Sequence, residues 1–221
     1  MVWNFKNKIS YLYNSFLDLI YTQKCIVCSC AKTNNFLCKT CAKDVEYLSC
    51  FAHRIYKGIP IYSMAKYNNV IKNLIHLLKF KHNKKAAKVL SYLFFEYYKK
   101  LNLNKDFIIV YPPSFYLKNL SRGYNHMFLI TKEFCKLSNL DYKKDLIKKI
   151  KPTKPQYKAK NRHKNIENSF DINKKLIEKY KNKNILLIDD ITTSGATLEE
   201  IVNCLLSYGF KNITCLTISK A

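Results

Sequence analysis

Nothing constrains the fold of this 221-residue chain more than the run "NKNILLIDD" at 182–190. Its apolar residues follow one another without the alternation of a half-exposed strand, which is the pattern of a parallel strand buried on both faces. Such a strand needs helices above and below its sheet, and the rest of the chain supplies them. "IPIYSMAKY" (59–67) reads as a strand. "NNVIKNLIHLLKF" (68–80) reads as an amphipathic helix with Val70, Ile71, Leu74, Leu77 and Leu78 on one face, and 84–101 as a second helix. "DFIIVYPPS" (106–114) reads as a buried strand stopped by Pro112 and Pro113. Residues 125–137 and 197–209 read as helices, the second ended by Gly209, and "KNITCLTIS" as a closing strand. Residues 139–170 are mostly polar and basic. The expected fold is α/β, a twisted and mostly parallel sheet whose ligands bind beyond the strand carboxyl ends.

Two adjacent carboxylates, Asp189 and Asp190, end the apolar run, and Thr192, Thr193, Ser194, Gly195, Ala196 and Thr197 form a loop into the next helix. The first turn of a helix has unpaired N–H groups and a positive dipole end, a ready anion site. Gly195 lets the backbone turn sharply, and the hydroxyls add donors. A phosphate held there places an attached ribose over the strand end, with its vicinal hydroxyls donating to the two carboxylates. The competing explanation is helix capping, since Thr197-x-x-Glu200 has the spacing of a capping box. Capping accounts for Thr197 and Glu200 but leaves the acid pair and Thr192–Thr193 without a purpose.

A different chemistry precedes residue 50. "CIVCSCAKTNNFLCKTC" carries Cys25-x2-Cys28 and, nine residues on, Cys38-x2-Cys41. Two such pairs can each grip one side of a tetrahedral zinc, and four thiolates close its coordination shell, so the expected site is structural. Cys30, Cys50 and His53 are candidate substitute ligands. The segment holds little apolar material, so metal binding and folding should be coupled. Residues 1–55 are accordingly read as an N-terminal helix with a zinc knuckle, and 56–221 as the larger domain.

The net charge of +24 predicts attraction to polyanions such as nucleic acid, nucleotides or anionic lipid heads. Codon bias competes as an explanation, because all but three of the 39 basic residues are lysine and Asn, Ile and Tyr are abundant too. Against that background Arg54, Arg122 and Arg162 stand out as residues kept for a rigid, bidentate fork. The first 23 residues lack the features of a signal peptide or a membrane span. Phe5, Ile9, Leu12, Phe16 and Leu19 form a helical stripe, expected to dock on its own domain, with peripheral membrane association as the alternative. The expected location is cytoplasmic, where nine cysteines suggest metal rather than disulfides.

"LLIDDITTSGAT" resembles the phosphoribosyl-pyrophosphate (PRPP) signature of type I phosphoribosyltransferases. Combined with the four-cysteine knuckle, it resembles the competence protein ComF family. "DLIY", "LLKFKHN" (77–83), "YPPSFYLKNLSRGYNHM" (111–127), "TKPQ" (153–156), "RHKN" (162–165) and Phe170 fall in that family's order. His126 stands where a glutamine is usual, Lys148 and Lys149 where an arginine is common, and Thr22 or Gln23 where a proline precedes the first cysteine. The resemblance implies a type I phosphoribosyltransferase sheet, with Pro113 and Ser114 in the loop facing the pyrophosphate. It implies a closing loop, 115–124, that brings Arg122 to phosphate oxygens, and PRPP bound with Mg²⁺. It further implies handling of single-stranded DNA in natural transformation on the cytosolic side of the membrane, with a DNA-uptake channel or helicase as partner. The alternative is an active phosphoribosyltransferase of nucleotide salvage or nucleoside modification, although no acceptor site is recognisable. Catalytic residues stay unassigned.

Overall fold

The computed structural model describes residues 23–30, 32–33, 36–103, 106–113, 124–152 and 162–221. The N-terminal helical stripe, Ser114, the closing loop with Arg122 and the 153–156 element lie outside the described residues.

A hairpin of β1 (Gln23–Lys24) and β2 (Lys32–Thr33) and the one-turn helix α1 (Lys39–Lys43) come first. The larger sheet begins with β3 (Arg54–Tyr56) and β4 (Ile59–Lys66), followed by α2 (Asn69–Phe80) and α3 (Lys85–Lys100). Next come β5 (Phe107–Val110), α4 (His126–Ser138), β6 (Asp141–Tyr142), β7 (Ile147–Lys149), α5 (Arg162–Ile166), β8 (Phe170–Ile172) and α6 (Lys174–Tyr180). The apolar run becomes β9 (Asn184–Thr192), and α7 (Ala196–Ser207) and β10 (Ile213–Lys220) close the chain. The strand order is β3-β4-β10-β9-β5-β6, parallel throughout except for the antiparallel edge strand β3. The fold is therefore α/β with a mostly parallel sheet.

Successive side chains of a strand point to opposite faces, so β9 feeds two cores at once. Leu186 and Ile188 pack with Met64, Leu74, Phe94 and Phe134 beneath α2, α3 and α4. Ile185 and Leu187 pack with Leu198, Ile201 and Leu205 of α7 and with Ile147 and Phe170 of the β7–β8 ribbon. All four β9 residues are fully enclosed, which gives each roughly 1.5–3 kcal/mol of burial free energy. Cys25, Cys38, Cys41 and Val45 join the first cluster, so the knuckle packs against the helical layer. Phe94, Phe95, Tyr97 and Tyr98 of α3 also belong to this core or pack against it. Phe94 and Tyr97 are buried, and the Tyr97 hydroxyl donates to the Ser49 carbonyl at 2.7 Å.

The elements differ from expectation in several places, among them the unexpected edge strand β3 and helix α6. β9 continues to Thr192, because Ser219 and Lys220 of β10 extend far enough to pair with Ile191 and Thr192. The expected strand 106–114 pairs only over Phe107–Val110. The polar stretch 139–170 holds β6, β7, α5 and the start of β8, elements too short to show any periodicity.

Candidate functional site

Parallel strands bring their carboxyl ends to one edge of the sheet, and there β9 changes from apolar to polar. Asp189 lies in register with Thr217 of β10, which lies in register with Ser63 of β4. These three form a buried polar row across the sheet, with Thr217 and Ser63 hydroxyls 2.6 Å apart. Pro113 follows β5, the strand on the other side of β9, at the same edge.

The acid pair divides between the two faces. Asp189 shares the side of Ile185, Leu187 and Cys215, and its Oδ1 accepts the Asp190 N–H at 2.8 Å. Asp190 shares the side of Leu186 and Ile188. Its Oδ2 meets Lys79 Nζ of α2 at 2.5 Å and His126 Nε2 of α4 at 2.7 Å. The expected arrangement, both carboxylates side by side toward one diol, is thus modified by strand alternation, and both acids sit two to three residues inside β9 rather than at its end. Burial pushes the Asp189 carboxyl up to about 7, reinforced by the neighbouring Asp190 charge and opposed by its hydrogen bond, Lys79 and Lys149. At Asp190 burial acts in the same sense, but Lys79 and His126 outweigh it and hold the carboxyl well below the usual carboxylate range. One acid is therefore ionised throughout the neutral range, while the other titrates within it.

The loop is tighter than the sequence suggests. Thr192 ends β9 and Ala196 and Thr197 already belong to α7, which leaves Thr193, Ser194 and Gly195 as the connection. Gly195 is the N-cap residue with φ of 82°, a left-handed conformation that favours glycine. A Cβ at Gly195 would lie 2.5 Å from Arg54 Nη1 and 3.0 Å from Glu199 Oε1. No side chain caps α7 through the Thr197–Glu200 spacing; Glu200 accepts the Asn168 N–H at 2.6 Å instead. The capping-box explanation therefore fails for this helix start.

Arg54 opens β3 and lies over the loop. Its Nη1 donates to the Ser194 carbonyl at 2.8 Å, and its Nη2 pairs with Glu199 Oε1. Glu199 is buried in the first turn of α7, and its Oε2 lies 3.6 Å from His163 Nδ1. Beside this cluster runs a cavity of about 370 Å³ lined by Tyr56, His163, Ile166, Glu199, Glu200 and Asn203, among others. Sequence reasoning missed Lys79, Glu199, Ser63 and Thr217. For Arg54 there was a signal, its rarity in a lysine-rich chain.

At the knuckle, β1 and β2 form the hairpin whose turn carries Cys25 and Cys28, and α1 carries the second pair, with Cys38 as its N-cap. The four thiols of Cys25, Cys28, Cys38 and Cys41 lie within 4.8 Å of one another. Cys28 Sγ and Cys38 Sγ are 3.8 Å apart. A tetrahedral zinc with Zn–S bonds of about 2.3 Å places its sulfurs about 3.8 Å apart, so the cluster fits a zinc knuckle. Burial works against the Cys25 thiolate, yet backbone N–H groups around it bring the thiol down to about 6. Burial, reinforced by the neighbouring Cys28, Cys38 and Cys25 thiols, pushes the Cys41 thiol far up. Cys30 stands outside the four, donating to Cys28 Sγ at 2.9 Å. Cys50 is exposed, and His53 is not part of the cluster. No helix among the described residues is long and apolar enough to cross a membrane.

Residues 137–220 match the phosphoribosyl transferase domain family. The chain is similar to Competence protein F of Haemophilus influenzae, with 27% identity over 115 residues covering 51% of this chain and 50% of that protein. It is also similar to DNA utilization protein YhgH of Escherichia coli O157:H7, with 25% identity over 196 residues covering 84% of this chain and 85% of that protein. The first match thus spans half the length of its relative, and the second most of it. The purine phosphoribosyltransferase structure from Pyrococcus horikoshii Ot3 aligns at 16% identity over 61% of this chain and 83% of that one, with a TM-score of 0.34. The relatives, the domain match and the four-cysteine cluster agree with the resemblance stated from the sequence.

Proposed function

We propose that this protein is a PRPP-binding factor that handles single-stranded DNA in natural transformation, on the cytosolic side of the membrane, with a structural zinc in its knuckle. The observation that carries the PRPP assignment is a polar row and acid pair at the carboxyl edge of the sheet, running through a three-residue turn into the N-terminus of α7. The phosphate of PRPP sits on the N–H groups of 193–197. Asp189 takes one ribose hydroxyl, and Asp190 takes another through the carboxylate that Lys79 and His126 hold in place. Pro113, Ser114 and Arg122 serve the pyrophosphate, whose charge bound Mg²⁺ neutralises. Cys25, Cys28, Cys38 and Cys41 hold the zinc, which supplies folding free energy rather than chemistry.

The DNA assignment is supported by the relatives' names, Competence protein F and DNA utilization protein, and by the net charge of +24. Exposed rings among lysines, Phe80, Tyr92, Phe51 and Tyr47, offer stacking surfaces for unpaired bases. Phe80 follows Lys79 directly, close to the Asp190 contact. A DNA-uptake channel or helicase is the protein partner this role calls for. Binding of labelled single-stranded DNA and of PRPP, separately and together, tests the proposal. Failure of PRPP to bind at millimolar concentration removes the first half, and failure of DNA to bind at low salt removes the second.

A second function, an active phosphoribosyltransferase, is favoured by the cavity of about 370 Å³ along α7, which has the volume of a small-molecule pocket. Pyrophosphate release from PRPP with free bases or nucleosides as acceptors distinguishes it.

A further inference from the structure

We infer that Arg54 is a positioning residue of the phosphate loop that acts through Glu199: by cancelling that carboxylate's charge it lets the first turn of α7 accept a phosphate. The inference rests on the PRPP-binding function proposed above. A helix N-terminus attracts negative charge, and a carboxylate in the first turn satisfies that attraction from within the chain. Glu199 is such a carboxylate, with a side chain only 9% exposed. A phosphate approaching the same N–H groups therefore meets a like charge that solvent does little to screen.

Arg54 removes that obstacle. One guanidinium reaches the carboxylate with Nη2 and the loop backbone with Nη1, at the Ser194 carbonyl. A planar fork can hold both contacts, whereas the single ammonium of a lysine cannot present that geometry. The arginine side chain is 42% exposed, so the buried charge is the one being cancelled while the guanidinium still borders solvent on the loop side. Gly195 leaves the room for it, since any Cβ there would collide with Nη1. His163 Nδ1 also faces Glu199, at 3.6 Å and on the opposite carboxylate oxygen. Arg54 lies on the antiparallel edge strand, which is outside the matched domain region 137–220. The full ligand loop is thus completed from the N-terminal part of the chain.

The test is calorimetry of PRPP with Mg²⁺, and of ribose 5-phosphate alone, on full-length protein carrying Arg54→Ala, Glu199→Gln or both. Arg54→Ala should weaken both ligands about tenfold or more, because it leaves a buried charge facing an anion. Glu199→Gln should bind at least as tightly as the parent, and the double variant should return to within about threefold of it. A simple structural clamp behaves otherwise: Glu199→Gln would weaken binding too, and the double variant would be no better than Arg54→Ala. Either of those results overturns the inference, as does normal affinity in Arg54→Ala. If Arg54→Ala does not fold, Glu199→Gln decides alone, and a tenfold loss there overturns it. Parent protein that binds neither ligand refutes the PRPP assignment and this inference with it; parent binding with the wrong variant pattern refutes this inference only.

Discussion

Asp189 makes folding depend on pH in a direction opposite to most carboxylates, and Asp189→Asn isolates the effect. Its carboxyl is buried, faces the Asp190 charge, and is raised from 3.8 to about 7. In the unfolded chain the proton leaves near 3.8, while in the folded chain it stays until about 7. Between those values the native state holds more protons than the unfolded state, so stability falls as pH rises. The full difference corresponds to roughly 4 kcal/mol, at about 1.36 kcal/mol for each tenfold change in proton affinity. That is a large part of the 5–15 kcal/mol typical of a domain, and for a chain of this size it lowers the melting temperature by roughly 10 °C. Asp190 contributes in the other sense, with stability present above its ordinary value and lost as pH falls through its depressed one. Its window lies below that of Asp189. Asparagine keeps an oxygen for the Asp190 N–H and removes the titration. Urea midpoints of parent and Asp189→Asn, measured every half unit from pH 4 to 8, should converge at pH 4 and diverge upward, the variant being the more stable at pH 8. Other titrating groups act in both proteins and cancel in the difference. Parallel curves across the range would show that the Asp189 carboxyl ionises in the fold as easily as in water.

Asp190→Asn should lower stability by about 3 kcal/mol in thermal or urea unfolding, because Lys79 and His126 lose their buried counter-charge, with relief of Asp189 offsetting part of it. Gly195→Val should both destabilise the protein and abolish PRPP binding, since the φ of 82° and the Arg54 contact each exclude a branched side chain. Elemental analysis should find one zinc per chain, and Cys38→Ser should reduce it and lower the melting temperature; a variant with unchanged metal and stability removes the knuckle assignment. Affinity for single-stranded DNA should fall about tenfold between 50 and 200 mM salt, and a slope near zero would return the +24 charge to codon bias.

The fold was legible where burial imposes a pattern. The unalternating run at 182–190 placed the central parallel strand, and the three- and four-residue spacing of Val70, Ile71, Leu74 and Leu78 placed α2. Between 139 and 170 the elements are two to five residues long, and a segment that short cannot complete a period. The edge strand β3 was missed because Ile55 points to solvent and only backbone pairing with β4 defines it. The four clustered cysteines were legible because their spacing is local. The contacts around the acids were not, because Lys79 and His126 converge on Asp190 from helices more than sixty residues away in sequence. Arg54 and Glu199 meet across more than 140 positions, and only their residue types hint at the pairing.

The adjacency of Asp189 and Asp190 follows from the strand that carries them. On a helix or loop, neighbouring carboxylates would share one environment and repel. On β9 they are sent to opposite faces, and each meets a different helical layer. The face beneath α2 and α4 offers Lys79 and His126, which keep Asp190 charged; on the face beneath α7 burial and the Asp190 charge outweigh the pull of Lys79 and Lys149 and favour the neutral form of Asp189. The charge of one then adds to the reluctance of the other to ionise, so the pair holds about one negative charge over the acidic half of the neutral range. A diol brought to this edge can accept a hydrogen bond from protonated Asp189 or donate one to the ionised form. A phosphorylated sugar arriving with its own negative charge is met by one carboxylate charge rather than two. Affinity for PRPP should therefore be kept at pH 6.5 in parent and Asp189→Asn alike, and should decline above pH 7.5 in the parent alone, as the second charge appears.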